Sequence, residues 1–209
     1  MIFYDCPTAP SPRRARMFIA EKGLDIETRA VSIADGEQLA PAFLKVNPRA
    51  TVPVLITDEG TALTENVAIA TYLEAMHPDP PLMGRTPDEK ARVAMWNAIA
   101  EAQGGMAVAE AFRNAHPAMK GRALPGPLDL PQIPDLAERG RRRVAAYFDL
   151  LETRLSESPW MAGDAFSLAD ITAFVFTDFA RVVKMRPPED HAATQAWLDR
   201  MRARPAAAL

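Results

Sequence analysis

The chain has 209 residues, of which 48% are hydrophobic and 24% are charged, and a formal net charge of −3. This composition is that of a globular protein with one large domain or two small ones, and the slightly acidic balance argues against nucleic acid or an anionic membrane surface as a partner. A single cysteine excludes a disulfide framework, and three widely spaced histidines give no metal-ligand pattern, so we expect no metal. We also expect a cytosolic protein, because the N-terminus lacks a signal-peptide pattern and no apolar run approaches the roughly 18 residues of a membrane span.

The first eighty residues alternate between strand and helix patterns. Strands are indicated by alternating or β-branched apolar residues, and helices by apolar residues three and four positions apart. In chain order the patterns predict a strand in 1–6, a helix in 12–24, a strand in 26–33, a short helix in 39–47, two strands in 52–65 and a helix in 66–77. The predicted order is therefore βαβαββα.

The rest of the chain is predicted to be helical. The proline-rich segment 78–86 has no periodicity and is interpreted as a linker, so we predict one domain over 1–77 and a second over 87–209. Helical patterns in the second domain cover 88–115, 135–155, 167–183 and 193–206. The stretch 116–134 holds five prolines and two glycines and cannot be a helix; a loop of this length is usually functional or disordered. The basic run 139–143 is interpreted as a solvated helix face.

Pro53 opens an apolar run that otherwise has the pattern of a strand. Proline cannot donate a hydrogen bond to a sheet, and the bond before it is the one peptide bond that adopts the cis form at modest cost. A cis bond would turn the carbonyl and N–H of Val52 outward, where a ligand can bind them as a strand partner. The alternative is an edge strand that begins with proline.

A second motif lies in the helical domain, where Ser167 and Asp170 fit an acidic variant of the capping box at the start of a buried helix. The order βαβαββα, the pair Val52-Pro53, "TALTEN" at 61–66 and "GDAFSLADITAF" at 163–174 together resemble the cytosolic glutathione transferase family, in particular its bacterial serine- and cysteine-type classes. The resemblance covers nearly the whole chain. It implies an α/β thioredoxin-like N-terminal domain, an all-α C-terminal domain, a cis proline and a homodimer.

The resemblance also implies where glutathione binds. Pro53 would present the Val52 backbone to the cysteinyl part of glutathione as an antiparallel strand would. Arg49 and Thr51 precede the proline and are expected to meet the glycyl carboxylate or other polar parts of the tripeptide. For Arg49, an exposed and solvated side chain is an equal alternative.

Glu65 and Asn66 open the predicted helix after the fourth strand. Backbone N–H groups at a helix N-terminus favour an anion, while the Glu65 carboxylate can pair with an ammonium, so together they could hold both charges of an α-amino acid head group. The resemblance makes this the γ-glutamyl pocket, although a serine is commoner in the family where Asn66 stands. The alternative is that Thr64, Glu65 and Asn66 only cap the helix.

The glutathione thiol must be activated by the segment between the first strand and the first helix, as the resemblance implies. Lowering a thiol pKa of about 8.5 by about two corresponds to roughly 2.7 kcal/mol, which one hydroxyl hydrogen bond and a helix dipole can supply. Ala9 or Pro10 stands where some classes carry the active serine or cysteine, so those mechanisms do not carry over. We predict Ser11 as the thiolate stabiliser, because certain bacterial classes hold a cysteine there, with Thr8 second and Arg13 as an electrostatic helper. The alternative is that Ser11 only caps the helix.

Cys6 precedes the same segment and is interpreted as a small apolar side chain at the end of a buried strand. Because Ala9 stands three residues further on, the C-x-x-C redox pair is absent. A dithiol mechanism is therefore excluded.

The second substrate is expected along the helix that contains Gly104 and Gly105. Two glycines in a helix interior cost about 2 kcal/mol relative to alanine, which indicates either close packing or room for a ligand. The predicted wall residues are Gly105, Met106, Phe112, Arg113 and His116, with the loop 116–134 as a candidate lid. Core packing is the alternative for the methionine and the phenylalanine, and Trp96 and Trp197 are predicted to lie in the core.

We therefore predict a glutathione transferase that takes glutathione as co-substrate, needs no metal and transfers the thiolate to a soft hydrophobic electrophile. One alternative is a glutathione-dependent isomerase, dehalogenase or disulfide reductase on the same site; the absence of a serine-serine-cysteine run weighs against the isomerase. Another is a non-catalytic binding or assembly module that keeps the glutathione pocket and leaves the thiol unactivated.

Overall fold

A computed structural model describes all 209 residues of the chain. The chain forms two compact units. The first comprises Met1–Pro81, the short segment Pro125–Leu128 and Leu209, and the second comprises Leu82–Leu124 and Asp129–Ala208. None of the helices combines the length and the apolar character that crossing a membrane requires.

The first unit is built on a four-stranded sheet with the order β2-β1-β3-β4. The strands are β1 (Ile2–Asp5), β2 (Glu27–Ala30), β3 (Val54–Ile56) and β4 (Ala62–Leu63). β1 pairs in parallel with β2 and antiparallel with β3, which pairs antiparallel with β4. The helices are α1 (Pro10–Glu21), α2 (Pro41–Leu44) and α3 (Asn66–Met76). The predicted order βαβαββα and the thioredoxin-like fold are confirmed.

Helix α1 connects the two parallel strands, a crossover that antiparallel strands do not need. It begins at Pro10, in the first turn where proline's missing N–H costs nothing, and it is terminated by Gly23, whose φ of 65° suits glycine. The last turn is fastened by Lys22, whose side chain has no exposed surface. Its ammonium donates to the carbonyl of His77 at 2.7 Å and pairs with Glu74 at 2.5 Å, which ties α1 to the end of α3.

The second unit is helical, as predicted. Its helices are α4 (Pro87–Ile99), α5 (Met106–Arg113), α6 (Pro134–Glu157), α7 (Leu168–Phe179) and α8 (Ala192–Arg202). The single helix predicted over 88–115 is instead α4 and α5 joined by a π-helical turn at Ala100–Gly105. A Cβ atom added at Gly104 would lie 2.7 Å from the ring of Tyr147, so this turn is closely packed.

Helix α7 begins with the predicted capping box. The Ser167 N–H and hydroxyl both donate to one carboxylate oxygen of Asp170 at 3.0 Å. The other oxygen accepts from the Met161 N–H at 2.8 Å and from Trp197 Nε1 at 3.1 Å. Asp170 and Trp197 are both fully buried, so the motif joins α7 to α8 as well as starting a helix.

One prediction about the helical region is wrong and another is incomplete. Trp96 lies half-buried under the guanidinium of Arg154, 4.9 Å from the ring centroid, and not in the core. The basic run 139–143 is only in part a solvated face: Arg139 and Arg142 are exposed, but Arg139 and Arg143 also pair with Glu110 on α5. The sequence pattern could not show either contact, since both partners lie on other helices.

The proline-rich loop is held in place by hydrogen bonds. The Leu130 N–H donates to the Gly121 carbonyl at 3.1 Å, which closes the loop on itself. Gln132 Nε2 donates to the carbonyls of Arg113 and His116, both at 2.8 Å. The second half of the loop is therefore fastened to the C-terminal end of α5.

Candidate active site

The segment between β1 and α1 is fixed by a buried ion pair. Arg16 Nη1 donates to both carboxylate oxygens of Asp5, at 2.6 and 2.7 Å, and Nη2 donates to the Pro7 carbonyl at 3.3 Å. The Asp5 side chain is only 6% exposed. Sequence reasoning missed this pair, because no motif marks two residues eleven positions apart on a strand end and a helix. Its effect is to set the path of the chain from the sheet into α1.

Cys6 is buried against Val31, Phe43 and Val54, as predicted for a small apolar side chain. Its sulfur lies 3.6 Å from the hydroxyl oxygen of Thr8. Thr8 itself is exposed. The Thr8 hydroxyl is therefore next to the thiol of the protein.

Ser11 and Asn66 are brought together from positions 55 residues apart. Asn66 Nδ2 donates to Ser11 Oγ at 2.9 Å. Ser11 lies inside the first turn of α1, whose N-cap is Ala9 without a side-chain cap, so the alternative that Ser11 only caps the helix is wrong. Because its oxygen accepts from the amide, the hydroxyl proton of Ser11 remains available to a ligand. Asn66 is buried, and its Oδ1 is enclosed without a hydrogen-bond partner.

The turn before the proline is organised by Asn47, which sequence reasoning also missed. Its side chain is buried; Nδ2 donates to the carbonyl and the hydroxyl oxygens of Thr51 at 2.8 and 2.9 Å, and Oδ1 accepts from the Arg49 N–H at 3.0 Å. Ala50 takes up a left-handed conformation with φ of 54° within this turn. The Asn47-Pro48 dipeptide, a turn signal, could have indicated it.

The Val52-Pro53 bond is cis, which confirms the hypothesis made from the sequence. β3 begins only at Val54, so Val52 lies just outside the ladder. The backbone N–H and carbonyl of Val52 make no hydrogen bond within the chain. Both groups are therefore free for a strand-like partner.

Arg49 and Glu65 lie beside each other at the exposed rim of the first unit. Their charged atoms are 3.8 Å apart and their side chains are 65% and 69% exposed. Arg49 Nη2 also donates to the Thr64 hydroxyl at 2.5 Å. Glu65 is the N-cap residue of α3 but its side chain makes no capping hydrogen bond, which argues against a purely capping role.

Arg13 is directed to the end of the chain. Its Nε donates to the carbonyl of Leu209 at 3.0 Å, an exposed contact between residues 196 positions apart. The structure therefore pairs Arg13 with the C-terminal residue.

The wall residues predicted on the helical unit separate into two groups. Gly105 is buried, and a Cβ atom added there would lie 2.5 Å from the ring of Phe176, so the glycine makes room for a neighbouring side chain. Met106 follows it and is 62% exposed. Phe112 and Arg113 lie in the last turn of α5, and His116 follows just after the end of the helix.

This second group is ordered by its own contacts. The ring of Phe112 lies 5.0 Å from that of His116 and 6.0 Å from that of Phe179. Arg113 Nη1 donates to the Arg122 carbonyl at 2.6 Å. His116 Nδ1 accepts from the Ala118 N–H at 3.3 Å. This end of α5 therefore carries an aromatic pair, Phe112 and His116, and a cationic side chain, Arg113.

Comparison with known proteins agrees with these features. Two family models match the chain: the N-terminal domain of glutathione S-transferases over residues 8–76, and the C-terminal domain over residues 114–205. Glutathione S-transferase 2 of Saccharomyces cerevisiae is 38% identical over 98% of this chain and 87% of its own. The crystal structure of Gtt2 from the same yeast superposes with a TM-score of 0.91, at 36% identity and with 100% and 99% of the two chains covered. A class Gtt2 enzyme of Vibrio parahaemolyticus gives a TM-score of 0.83 at 32% identity, covering 99% of this chain and 94% of its own.

Proposed function

The chain belongs to the glutathione S-transferase family, and we propose that it activates the thiol of glutathione at Ser11 and transfers the sulfur to a small electrophile with an apolar body. The hydrogen bond from Asn66 to Ser11 is the observation that carries this proposal. An amide that donates to the hydroxyl oxygen directs the hydroxyl proton outward, so that Ser11 can donate it to a thiolate.

The first turn of α1 adds to this stabilisation. Pro10 and Pro12 have no N–H, so Ser11 contributes the first N–H of the helix along with its hydroxyl. The positive end of the helix dipole acts on the same place. A hydrogen bond to a charged group is worth about 1.5–3 kcal/mol, which is the size needed to lower a thiol pKa by one to two.

The remaining parts of glutathione would be held by unbonded backbone groups and by exposed charged side chains of the first unit. The Val52 backbone would pair with the cysteinyl residue as an added strand. The N–H groups in the first turn of α3, beginning with Asn66, would bind the γ-glutamyl carboxylate, and Glu65 its ammonium. Arg49 would meet the glycyl carboxylate, with Thr51 holding the turn.

The electrophile would lie against Phe112 and His116 in the helical unit, where the aromatic rings offer an apolar surface. A homodimer is also part of the proposal. It is supported by apolar side chains that remain exposed on helices of both units, namely Val67 and Met76 on α3 and Met95 on α4.

The test is a pH titration of the thiol of bound glutathione, followed by ultraviolet difference absorbance of the thiolate. Wild-type protein should lower the thiol pKa by one to two, and Ser11→Ala should raise it again by about one, with turnover at neutral pH falling roughly tenfold while glutathione still binds. Thr8→Ala is the matched hydroxyl deletion in the same segment. If Thr8→Ala and not Ser11→Ala raises the pKa, the role belongs to Thr8. Glutathione that binds with an unshifted pKa would instead favour a non-catalytic binding module.

A further inference from the structure

The guanidinium of Arg113 has one nitrogen that is hydrogen-bonded within the chain and others that are not. It occupies the last turn of α5 and is half-buried. Nη1 donates to the Arg122 carbonyl at 2.6 Å, and the side chain makes no other hydrogen bond or ion pair. Arginine carries five N–H donors. Every buried Arg113 nitrogen has a hydrogen-bond partner, so the nitrogens without a partner face solvent.

The charge of Arg113 is not compensated by its neighbours. Glu110 is the one acidic side chain on α5, and both of its oxygens are taken by Arg139 and Arg143. Burial, together with the nearby positive charge of Arg122, lowers the pKa of Arg113. A partly buried guanidinium without a carboxylate partner favours an anionic ligand, because burial weakens the competition from water.

An apolar surface lies at the same end of α5 as this charge. The His116 N–H donates to the Phe112 carbonyl at 2.9 Å, so the chain makes one more turn after Arg113 and brings His116 next to Phe112. The rings of Phe112 and His116 are 5.0 Å apart and tilted by 42°. Gln132 fixes the backbone of this turn by donating to the carbonyls of Arg113 and His116. The guanidinium and the two rings therefore belong to one ordered turn, which offers donors to an acid group and an apolar surface to a flat ring.

We infer that Arg113 is a specificity residue for an electrophile that carries a carboxylate, which it binds while the aromatic body of the electrophile packs on Phe112 and His116. The inference rests on the proposed function and names its substrate class. The step is a substitution: the thiolate sulfur forms a bond to the electrophilic carbon, the leaving group departs with the bonding pair, and the thiol proton is released to solvent.

A matched pair of electrophiles tests this inference. 4-Chloro-3-nitrobenzoate and 4-chloro-3-nitrobenzamide share the ring, the nitro group and the chloride that leaves, and differ in the acid group. Arg113→Gln should lower kcat/KM for the benzoate about tenfold, the loss expected for one charge-assisted hydrogen bond at a partly exposed site, and change that for the benzamide less than twofold. Comparing each substrate with itself across variants removes the difference in intrinsic reactivity.

The control is Arg142→Gln, which removes the same charge from the exposed face of α6, where Arg142 pairs with Glu138. It should leave the ratio of the two substrates unchanged. Binding of 4-nitrobenzoate, measured by calorimetry, should weaken about tenfold in Arg113→Gln alone. Equal losses for both substrates, or an equal effect of Arg142→Gln, would overturn the role of Arg113. The proposed function would still hold after that result if the wild type turns over the benzamide and lowers the pKa of the bound thiol. It would be refuted if the wild type showed no turnover and no lowered thiol pKa.

Discussion

Replacing Asp170 by asparagine should destabilise the helical unit severely. The carboxylate has no exposed surface and accepts four hydrogen bonds, two on each oxygen, from Ser167, Met161 and Trp197. An asparagine of the same shape turns one acceptor into an NH2 group, which fits best towards Ser167, where the hydroxyl can turn and accept but the Ser167 N–H still faces a donor. Losing one or two bonds of about 1 kcal/mol each and leaving a buried donor unpaired at about 1–3 kcal/mol gives a loss of roughly 2–5 kcal/mol. Urea unfolding followed by tryptophan fluorescence measures it.

Trp197→Phe is the companion variant, because it removes one donor and leaves the carboxylate in place. It should cost about 1–2 kcal/mol, and the double variant should cost less than the sum of the two, since the bond between them is lost only once. Burial also raises the pKa of Asp170 from 3.8 to about 6. Burial outweighs the hydrogen bonds from Met161, Trp197 and Ser167, which favour the charged form. The wild type should therefore lose stability as pH rises from about 4 to about 6, and Asp170→Asn should lack that part of the pH dependence. A loss below 1 kcal/mol in Asp170→Asn, or an unchanged pH profile, would refute the reasoning.

Two further predictions concern packing and ionisation in the helical unit. Gly105→Ala should destabilise by about 0.5–2 kcal/mol in urea unfolding despite the better helix propensity of alanine, because its Cβ would lie 2.5 Å from the Phe176 ring. Gly140→Ala should cost more, about 3 kcal/mol or above, since its Cβ would meet backbone atoms of α5 at 2.5 and 2.9 Å, which cannot rotate away as a ring can; the reverse order would contradict this account. Burial opposes ionisation of Glu110, but hydrogen bonds from Arg139 and Arg143 hold its pKa below the ordinary value. The stability that the Glu110 carboxylate contributes should therefore be present above the unfolded pKa near 4.5 and be lost as pH falls. Glu110→Gln should cost about 1–2 kcal/mol at pH 7 and little in acid, which thermal unfolding at both pH values would measure.

The parts of the fold that depend on nearby residues were predictable from the sequence. The order βαβαββα follows from periodicity, and the cap of α7 follows from Ser167 and Asp170, which are three positions apart. Pro53 gave a specific hypothesis because proline is the one residue that accepts a cis bond at modest cost. In each case the pattern and the structure involve the same few neighbouring residues.

The contacts that define the candidate site were not predictable in this way. The bond from Asn66 to Ser11 joins residues 55 positions apart, and the ion pair of Arg16 with Asp5 joins a helix to the end of a strand. A sequence without aligned relatives contains no signal for such pairs, because their meeting depends on how the elements pack. Gly105 is a second example. The sequence shows that a glycine stands in a helix, where it is unfavourable, but only the structure shows that the ring of Phe176 leaves no room for a larger side chain.

Two kinds of polar group occur in the candidate site, namely exposed charges that pair with each other and a buried amide. Arg49 and Glu65, proposed to bind opposite charges of glutathione, pair with each other at 3.8 Å and remain mostly exposed. An exposed ion pair of this kind is worth about 0–1 kcal/mol, so exchanging it for two contacts with a ligand has a small cost. Asn66 is the opposite case, since it is buried and has an enclosed acceptor without a partner. The pairing at the rim can therefore be exchanged at little cost, whereas the amide that donates to Ser11 is held within the packed interior.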